Sequence, residues 1–154
     1  MKLFWLGIYN LIFYPIFFIV AVLLSPINYK IRTGLLGRWH SLKKLKDFKD
    51  MNPSLDIYWF HVSSFGEFQQ IESIISSIKN SDNNIGIIVS FFSPSGYNNV
   101  NNDNIDCKVY LPFDFPWSIF RGLKLIKPKK IIFASYDIWP NILLAARFLH
   151  IDTI

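Results

Sequence analysis

The sequence predicts an α/β protein built on a Rossmann-like parallel sheet, preceded by an apolar helix that anchors it to a membrane. Three observations carry this expectation. From residue 55 onward, short runs rich in β-branched and aromatic residues alternate with amphipathic helical patterns. That order builds a parallel sheet through right-handed crossovers. The strand runs are almost continuously apolar, as in strands covered on both faces. Finally, Leu3 to Leu24 carry no charge and are long enough to cross a hydrocarbon core.

Taken in order, residues 1–26 read as the membrane anchor. Pro15 is expected to kink a helix there. Two arrangements stay open: a spanning helix, or a bent, shallowly inserted hairpin bounded by Pro15 and Pro26. A cleavable signal peptide fits less well, because the apolar run is too long and no small-x-small site succeeds it. Residues 27–54 form a basic juxtamembrane segment and linker, with Lys30, Arg32, Arg38, Lys43, Lys44, Lys46 and Lys49 against Asp47 and Asp50. The positive-inside rule places the domain beyond this segment on the cytoplasmic face, and the same charges suit an anionic membrane surface. A membrane anchor accounts for the location of this charge, so nucleic acid is not the expected partner.

Residues 55–154 read as one domain. Strand Ile57–Val62 leads through Ser63-Ser64-Phe65-Gly66 to a helix over Glu67–Lys79, with Phe68, Ile71, Ile74, Ile75 and Ile78 at spacings of three and four. Strand Ile85–Phe91 leads to a short helix opened by Ser93-Pro94-Ser95-Gly96. Strand Lys108–Leu111 precedes a turn through Asp114 and a helix over Trp117–Ile126. Strand Lys130–Ala134 precedes Ser135-Tyr136-Asp137 and a helix over Ile138–Leu149, and Ile151 begins a fifth strand.

Composition limits the chemistry. The 154 residues carry a formal net charge of +5, which favours acidic surfaces or anionic ligands. The single cysteine, Cys107, lies in a strand pattern and reads as a buried structural thiol. The three histidines, His40, His61 and His150, have no metal-ligand spacing, so no metal site is expected. Neither G-x-G-x-x-G nor a P-loop is present, which sets aside the dinucleotide and Walker readings.

The site candidates share one placement. In a parallel sheet the strand-to-helix loops open on the carboxyl edge, where ligands bind. Glu67 sits where the first strand hands over to a helix N-terminus. There it is either a first-turn acid that stabilises the helix or a group that meets a ligand. Ser63, Ser64 and Gly66 offer backbone N–H groups to a phosphate or sugar, or make a plain turn in which Gly66 supplies tight backbone geometry. Ser93, Ser95 and Gly96 repeat this arrangement after the second strand, and Ser93 equally suits an N-cap. Asp114 follows the third strand, to bond a sugar or to cap the helix at Trp117. Asp137, Trp139 and Asn141 follow the fourth. Trp139 reads as core packing more than as a stacking platform.

Four blocks then bring out a resemblance. They are the apolar anchor with Arg32-Thr33-Gly34 and Gly37-Arg38; His61-Val62-Ser63-Ser64-Phe65-Gly66-Glu67; Ser93-Pro94-Ser95-Gly96; and Tyr110-Leu111-Pro112-Phe113-Asp114-Phe115-Pro116 with Tyr136-Asp137-Ile138-Trp139-Pro140-Asn141. In this order they resemble the N-terminal half of the 3-deoxy-D-manno-octulosonic-acid (Kdo) transferases. The resemblance implies a GT-B glycosyltransferase whose N-terminal domain binds a lipid A precursor at the cytoplasmic face of the inner membrane. It implies CMP-Kdo as donor, held by a C-terminal domain absent here, with no metal and no further cofactor. It makes Glu67 the general base that takes the proton of the acceptor hydroxyl. Ser135 stands where the family has the first of two acids, leaving Asp137 alone. The 154 residues are expected not to carry out transfer without a donor domain. The alternatives are a non-catalytic membrane-anchored lipid-binding fragment, and another GT-B transferase acting on an anionic lipid.

Overall fold

A computed structural model of the chain describes residues 2–82, 84–135 and 139–154. The expected parallel sheet is present. Strands β1 (Asp56–Val62), β2 (Ile85–Phe91), β3 (Cys107–Tyr110), β4 (Lys130–Phe133) and β5 (Asp152–Thr153) lie in the order β3-β2-β1-β4-β5. Every pairing is parallel, and β1 at the centre pairs His61 with Ser90 of β2 and with Phe133 of β4. The strand order reverses between β1 and β4, the switch point at which sheets of this kind open a crevice at their carboxyl ends.

Alternation along β1 sends its side chains to two cores. Ile57 and Trp59 face one layer, with Leu45, Phe48, Ile119, Leu123, Ile126, Ile142 and Ala146. Phe60 and Val62 face the other, with Phe68, Ile71, Ile75, Val89 and Phe91. The first layer holds helices α3 (Tyr29–Met51), α6 (Pro116–Ile126) and α7 (Pro140–Phe148). The second holds α4 (Phe65–Ser81) and α5 (Pro94–Asn99).

Helix α3 occupies most of the stretch that reads in sequence as a basic segment and linker. Its inward stripe is Gly34, Ser41, Leu45 and Phe48, all buried, at helical spacing. Two of those four positions are small, so the stripe carries little hydrophobic signal. Asn28 starts the helix by accepting from the N–H groups of Lys30 and Ile31 at 3.0 and 3.2 Å. Gly37 lets it approach β3: a methyl group there would run into the ring of Tyr110. Ser41 completes the contact, its hydroxyl donating to the Tyr110 carbonyl at 2.7 Å.

The N-terminal apolar stretch forms α1 (Lys2–Ile8), a π-helical turn at Tyr9–Phe13, and α2 (Tyr14–Leu24). Pro15 lies in the first turn of α2, directly after the π turn, a local adjustment of the kind that lets a proline sit inside a continuing helix. The N–H of Tyr14 donates to the carbonyl of Tyr9. Residues five apart in an α-helix differ by about 140°. The π turn removes most of that angle and brings the Tyr9 and Tyr14 rings to 5.8 Å.

Candidate functional site

Two strand-to-helix junctions come together at the carboxyl edge. At the first, Ser64 caps α4, accepting from the Glu67 N–H at 3.3 Å, while the Glu67 carboxylate accepts from the Ser63 N–H at 2.6 Å. The arrangement is that of a capping box shifted by one residue, because the carboxylate accepts from Ser63, the residue before the cap. The helix therefore begins at Phe65, two residues before Glu67. At the second junction, Ser93 caps α5, accepting from the Gly96 N–H at 3.2 Å, and its hydroxyl lies 3.0 Å from that of Ser95.

Backbone bonds tie the two junctions: Phe92 N–H to Val62 O at 3.1 Å, and Ser93 N–H to Ser63 O at 3.0 Å. A Cβ on Gly96 would lie 3.1 Å from the Ser64 carbonyl carbon and 3.3 Å from the Phe65 nitrogen. Glycine is what lets the loops touch. Gly66 is different. Its φ is not positive, and nothing lies within 4 Å of where its Cβ would be. The expected need for tight backbone geometry is absent there. Its effect is to leave the surface above the start of α4 bare.

Asp114 and Asn141 form a second cluster, fully buried. The Tyr9 hydroxyl donates to Asp114 Oδ2 at 2.8 Å, and the Asp114 N–H donates to the Tyr14 hydroxyl at 2.6 Å. Asn141 donates through Nδ2 to the Asp114 carbonyl and, at 2.7 Å, to Asn10 Oδ1; Asn10 Nδ2 donates back at 3.1 Å. Both polar side chains are thus engaged in docking the N-terminal helix. Asp114 does not cap α6, whose N-cap is Phe115 without a side-chain bond. A sugar reaches neither residue while the helix is docked. Burial pushes the Asp114 carboxyl up to about 6, against the opposing pull of its bonds from Tyr9 and Asn141.

Trp139 joins the two regions. Its indole donates to His61 Nε2 at 3.1 Å and its ring packs against Phe92 at 5.1 Å. An indole N–H only donates, so His61 carries its proton on Nδ1, which faces the Ser90 carbonyl at 3.1 Å. Burial holds His61 neutral by pushing it down to about 4. Asp137 lies outside the described residues.

Between α2, α3 and the loops after β2 and β3 lies a cavity of about 380 Å³. Phe17, Phe18, Leu24, Leu35, Phe113 and Trp139 give it apolar walls, and Lys30, Arg38 and Ser93 are its polar lining. Arg38 donates to the Phe92 carbonyl at 2.7 Å and lies over that ring at 4.5 Å. No carboxylate pairs with it among the described residues. Burial lowers its proton affinity.

The structure therefore gathers Ser63, Ser64, Gly66, Glu67, Ser93, Ser95 and Gly96, and holds Asp114 and Asn141 apart beneath the helix. Sequence reasoning passed over His61, Arg38, Tyr9, Asn10 and Tyr14 as site residues. A signal for the last three existed: they are hydrogen-bonding side chains within an otherwise apolar stretch.

The family model described as 3-Deoxy-D-manno-octulosonic-acid transferase (kdotransferase) matches residues 32–154. A 3-deoxy-D-manno-octulosonic acid transferase of Aquifex aeolicus is 33% identical over 88 residues, covering 56% of this chain and 24% of the relative. One from Haemophilus influenzae is 28% identical over 87 residues, 55% of this chain and 20% of the relative. A probable mitochondrial 3-deoxy-D-manno-octulosonic acid transferase of Arabidopsis thaliana is 27% identical over 127 residues, 74% of this chain and 28% of the relative. The chain thus spans about a quarter of the length of these relatives.

Proposed function

Since the chain belongs to the 3-deoxy-D-manno-octulosonic-acid transferase family, a family of glycosyltransferases whose domain fits the GT-B fold, we propose that it supplies the acceptor side of Kdo transfer. The donor is CMP-Kdo, held by a donor-binding domain, and the acceptor is a lipid A precursor at the cytoplasmic face of the inner membrane. Glu67 is the general base. It takes the proton of the acceptor hydroxyl as that oxygen bonds to the anomeric carbon, and CMP leaves with the electrons of the broken bond. No metal or further cofactor enters the reaction as proposed.

The observation that carries this reading is the placement of Glu67. It lies at the carboxyl edge, half-buried, in the first turn of the helix that follows the central strand, with one oxygen held by the Ser63 N–H at 2.6 Å. Its other oxygen takes no hydrogen bond from the described residues. A base must be oriented yet remain within reach of its substrate. Glu67 itself does not line the cavity; Ser93 does, and its N–H bonds the Ser63 carbonyl at 3.0 Å, which ties the cavity wall to the Glu67 junction. The apolar walls suit an acyl chain of the acceptor, and Arg38 and Lys30 suit a phosphate.

The capping bond also favours a second reading, in which Glu67 only stabilises α4 in a non-catalytic lipid-binding module. Glu67→Gln separates the two in a polypeptide that joins this chain to a donor-binding domain. Glutamine keeps the bond to Ser63 and loses basicity. Turnover is expected to fall by roughly 10²-fold or more with acceptor binding retained. Turnover within a few-fold of the parent would leave Glu67 as a helix-start acid.

A further inference from the structure

The helix Phe4–Leu24 is long and apolar enough to cross a membrane, and it is the single such helix among the described residues. Its packing points elsewhere. From Tyr9 to Leu24 one side of it lies against the domain. Tyr9, Asn10 and Tyr14 bond Asp114 and Asn141. Phe18 meets Phe113 and Phe115 edge-on at 5.2 and 5.5 Å, and Tyr14 meets Phe115 at 4.8 Å. Leu24 lines the cavity against α3. The contact therefore runs along about 22 Å of helix at about 1.5 Å per residue.

A spanning helix crosses a hydrocarbon core about 30 Å thick. Position 14 is the midpoint of Phe4–Leu24. If the docked helix crossed the bilayer, Asp114 and Asn141 would lie at the midplane, and Arg38 of α3 and Ser93 of the loop after β2 would enter the hydrocarbon with them. Ionisable groups at that depth are strongly disfavoured. Undocking the helix first would give up the bonds from Tyr9, Asn10 and Tyr14 and the edge-on packing of Phe18 and Tyr14 on Phe113 and Phe115.

The opposite side of the helix is uncovered and apolar. Leu11 is 80% exposed, Phe13 62% and Leu23 69%. Trp117, stacked on Phe115 at 4.7 Å, is 70% exposed beside the same docking loop, and indoles favour the membrane interface. Lys30 and Arg32 follow the helix directly, where anionic headgroups attract them.

We propose that the helix Lys2–Leu24 lies in the plane of one leaflet instead of crossing the bilayer, clasped to the domain by Tyr9, Asn10 and Tyr14, so that both its ends stay on the same side. The surface it meets is an anionic phospholipid leaflet. The uncovered face sinks into the acyl boundary, as interfacial helices do, and the clasp fixes how far the carboxyl edge of the sheet stands from the headgroups. This assignment does not depend on the chemistry proposed for Glu67.

Single cysteines at the two ends of the helix test it. Lys2→Cys and Lys30→Cys are each expressed in the full chain, and inverted membrane vesicles and intact spheroplasts are treated with a membrane-impermeant maleimide. The parent, whose Cys107 is buried, provides the blank. Both positions are expected to label in the inverted vesicles and neither in spheroplasts. Labelling of the two ends from opposite sides overturns the proposal, as does recovery of the chain in the soluble fraction. An Asn10→Cys/Asn141→Cys pair gives an independent reading, because these side chains touch only when the helix is docked. Oxidant is expected to cross-link them in the membrane. Absence of the cross-link in protein that remains folded and membrane-bound overturns the clasp.

Discussion

Replacing Asp114 by asparagine removes a charge that the fold disfavours. Burial raises the Asp114 carboxyl from its ordinary 3.8 to about 6. At about 1.4 kcal/mol for each pH unit, that rise is worth about 3 kcal/mol. The sign depends on which form the fold prefers. The native state binds the proton more tightly than the unfolded chain does. Ionisation therefore costs nothing below about pH 4, costs progressively more between about 4 and 6, and costs the full amount above that. Asparagine resembles the neutral acid. Its carbonyl keeps the bonds from Tyr9 and Asn141 made by Oδ2, and its amide takes the place of Oδ1, which has no partner.

At pH 8, D114N is thus expected to be more stable by up to about 3 kcal/mol, and at pH 4 to equal the parent. For a chain of this size 1 kcal/mol moves Tm by about 2–4 °C, so a rise of up to about 6–12 °C is the expected scale at pH 8. Thermal unfolding followed by circular dichroism in detergent micelles measures it. A fall in Tm at pH 8, or the same change at both pH values, would refute the reasoning: the bonds to the carboxylate would then outweigh its burial. The variant also isolates His61, whose burial pushes it down to about 4. A histidine held neutral contributes stability in full above about pH 6.5 and loses it as pH falls toward 4. In the parent this loss opposes the gain from Asp114. In D114N it stands alone, and acid lability should be steeper.

Gly66→Ala is expected to stabilise α4 by up to about 1 kcal/mol, since the added methyl meets nothing and alanine favours helix; it should also weaken acceptor binding if the bare start of α4 receives the substrate, and a thermal melt beside a binding titration reads both. Gly37→Ala should cost about 1–3 kcal/mol by forcing α3 off the Tyr110 ring, and a melting temperature at or above the parent's would contradict the close packing described.

Much of the fold could be read directly because its strands are continuous apolar runs. Ile85–Phe91 is buried at every position, and no helix period competes there. The short helices were equally legible, since Ser93, Pro116 and Pro140 mark their starts. Helix α3 was not, because charged residues dominate its count and its buried stripe relies on Gly34 and Ser41. The site divided in the same way. Capping chemistry is local, so Ser93 could be read as a cap and Glu67 as a first-turn acid, while Ser64, which caps a helix that begins two residues before the expected start, looked like part of a plain turn. The Asp114 cluster joins residues 105 and 131 positions apart, and no local pattern encodes such contacts. Asp114 and Asn141 looked like ligands because they fall on the right edge. What the sequence did not disclose was that the N-terminal helix covers them.

Arg38 leads to the last test. A half-buried guanidinium with no carboxylate beside it among the described residues contributes little to stability, because its desolvation is offset only by one carbonyl bond and the Phe92 and Tyr110 rings. Structural arginines are usually paired; one in a cavity wall with no carboxylate partner among the described residues suits a ligand that brings the negative charge. Arg38→Met keeps the apolar stem and removes the cation. Without acceptor, the variant is expected to melt within a few degrees of the parent or above it, because the bonds lost are offset by the desolvation relieved. Its affinity should fall by roughly tenfold or more for a phosphorylated, acylated disaccharide, and stay near the parent's for the dephosphorylated analogue. That comparison separates a phosphate contact from general damage to the cavity. Should the two acceptors lose affinity equally, or the ligand-free protein lose several kcal/mol, Arg38 would be a structural tie between α3 and the loop after β2, and the phosphate of the acceptor would have to be held elsewhere.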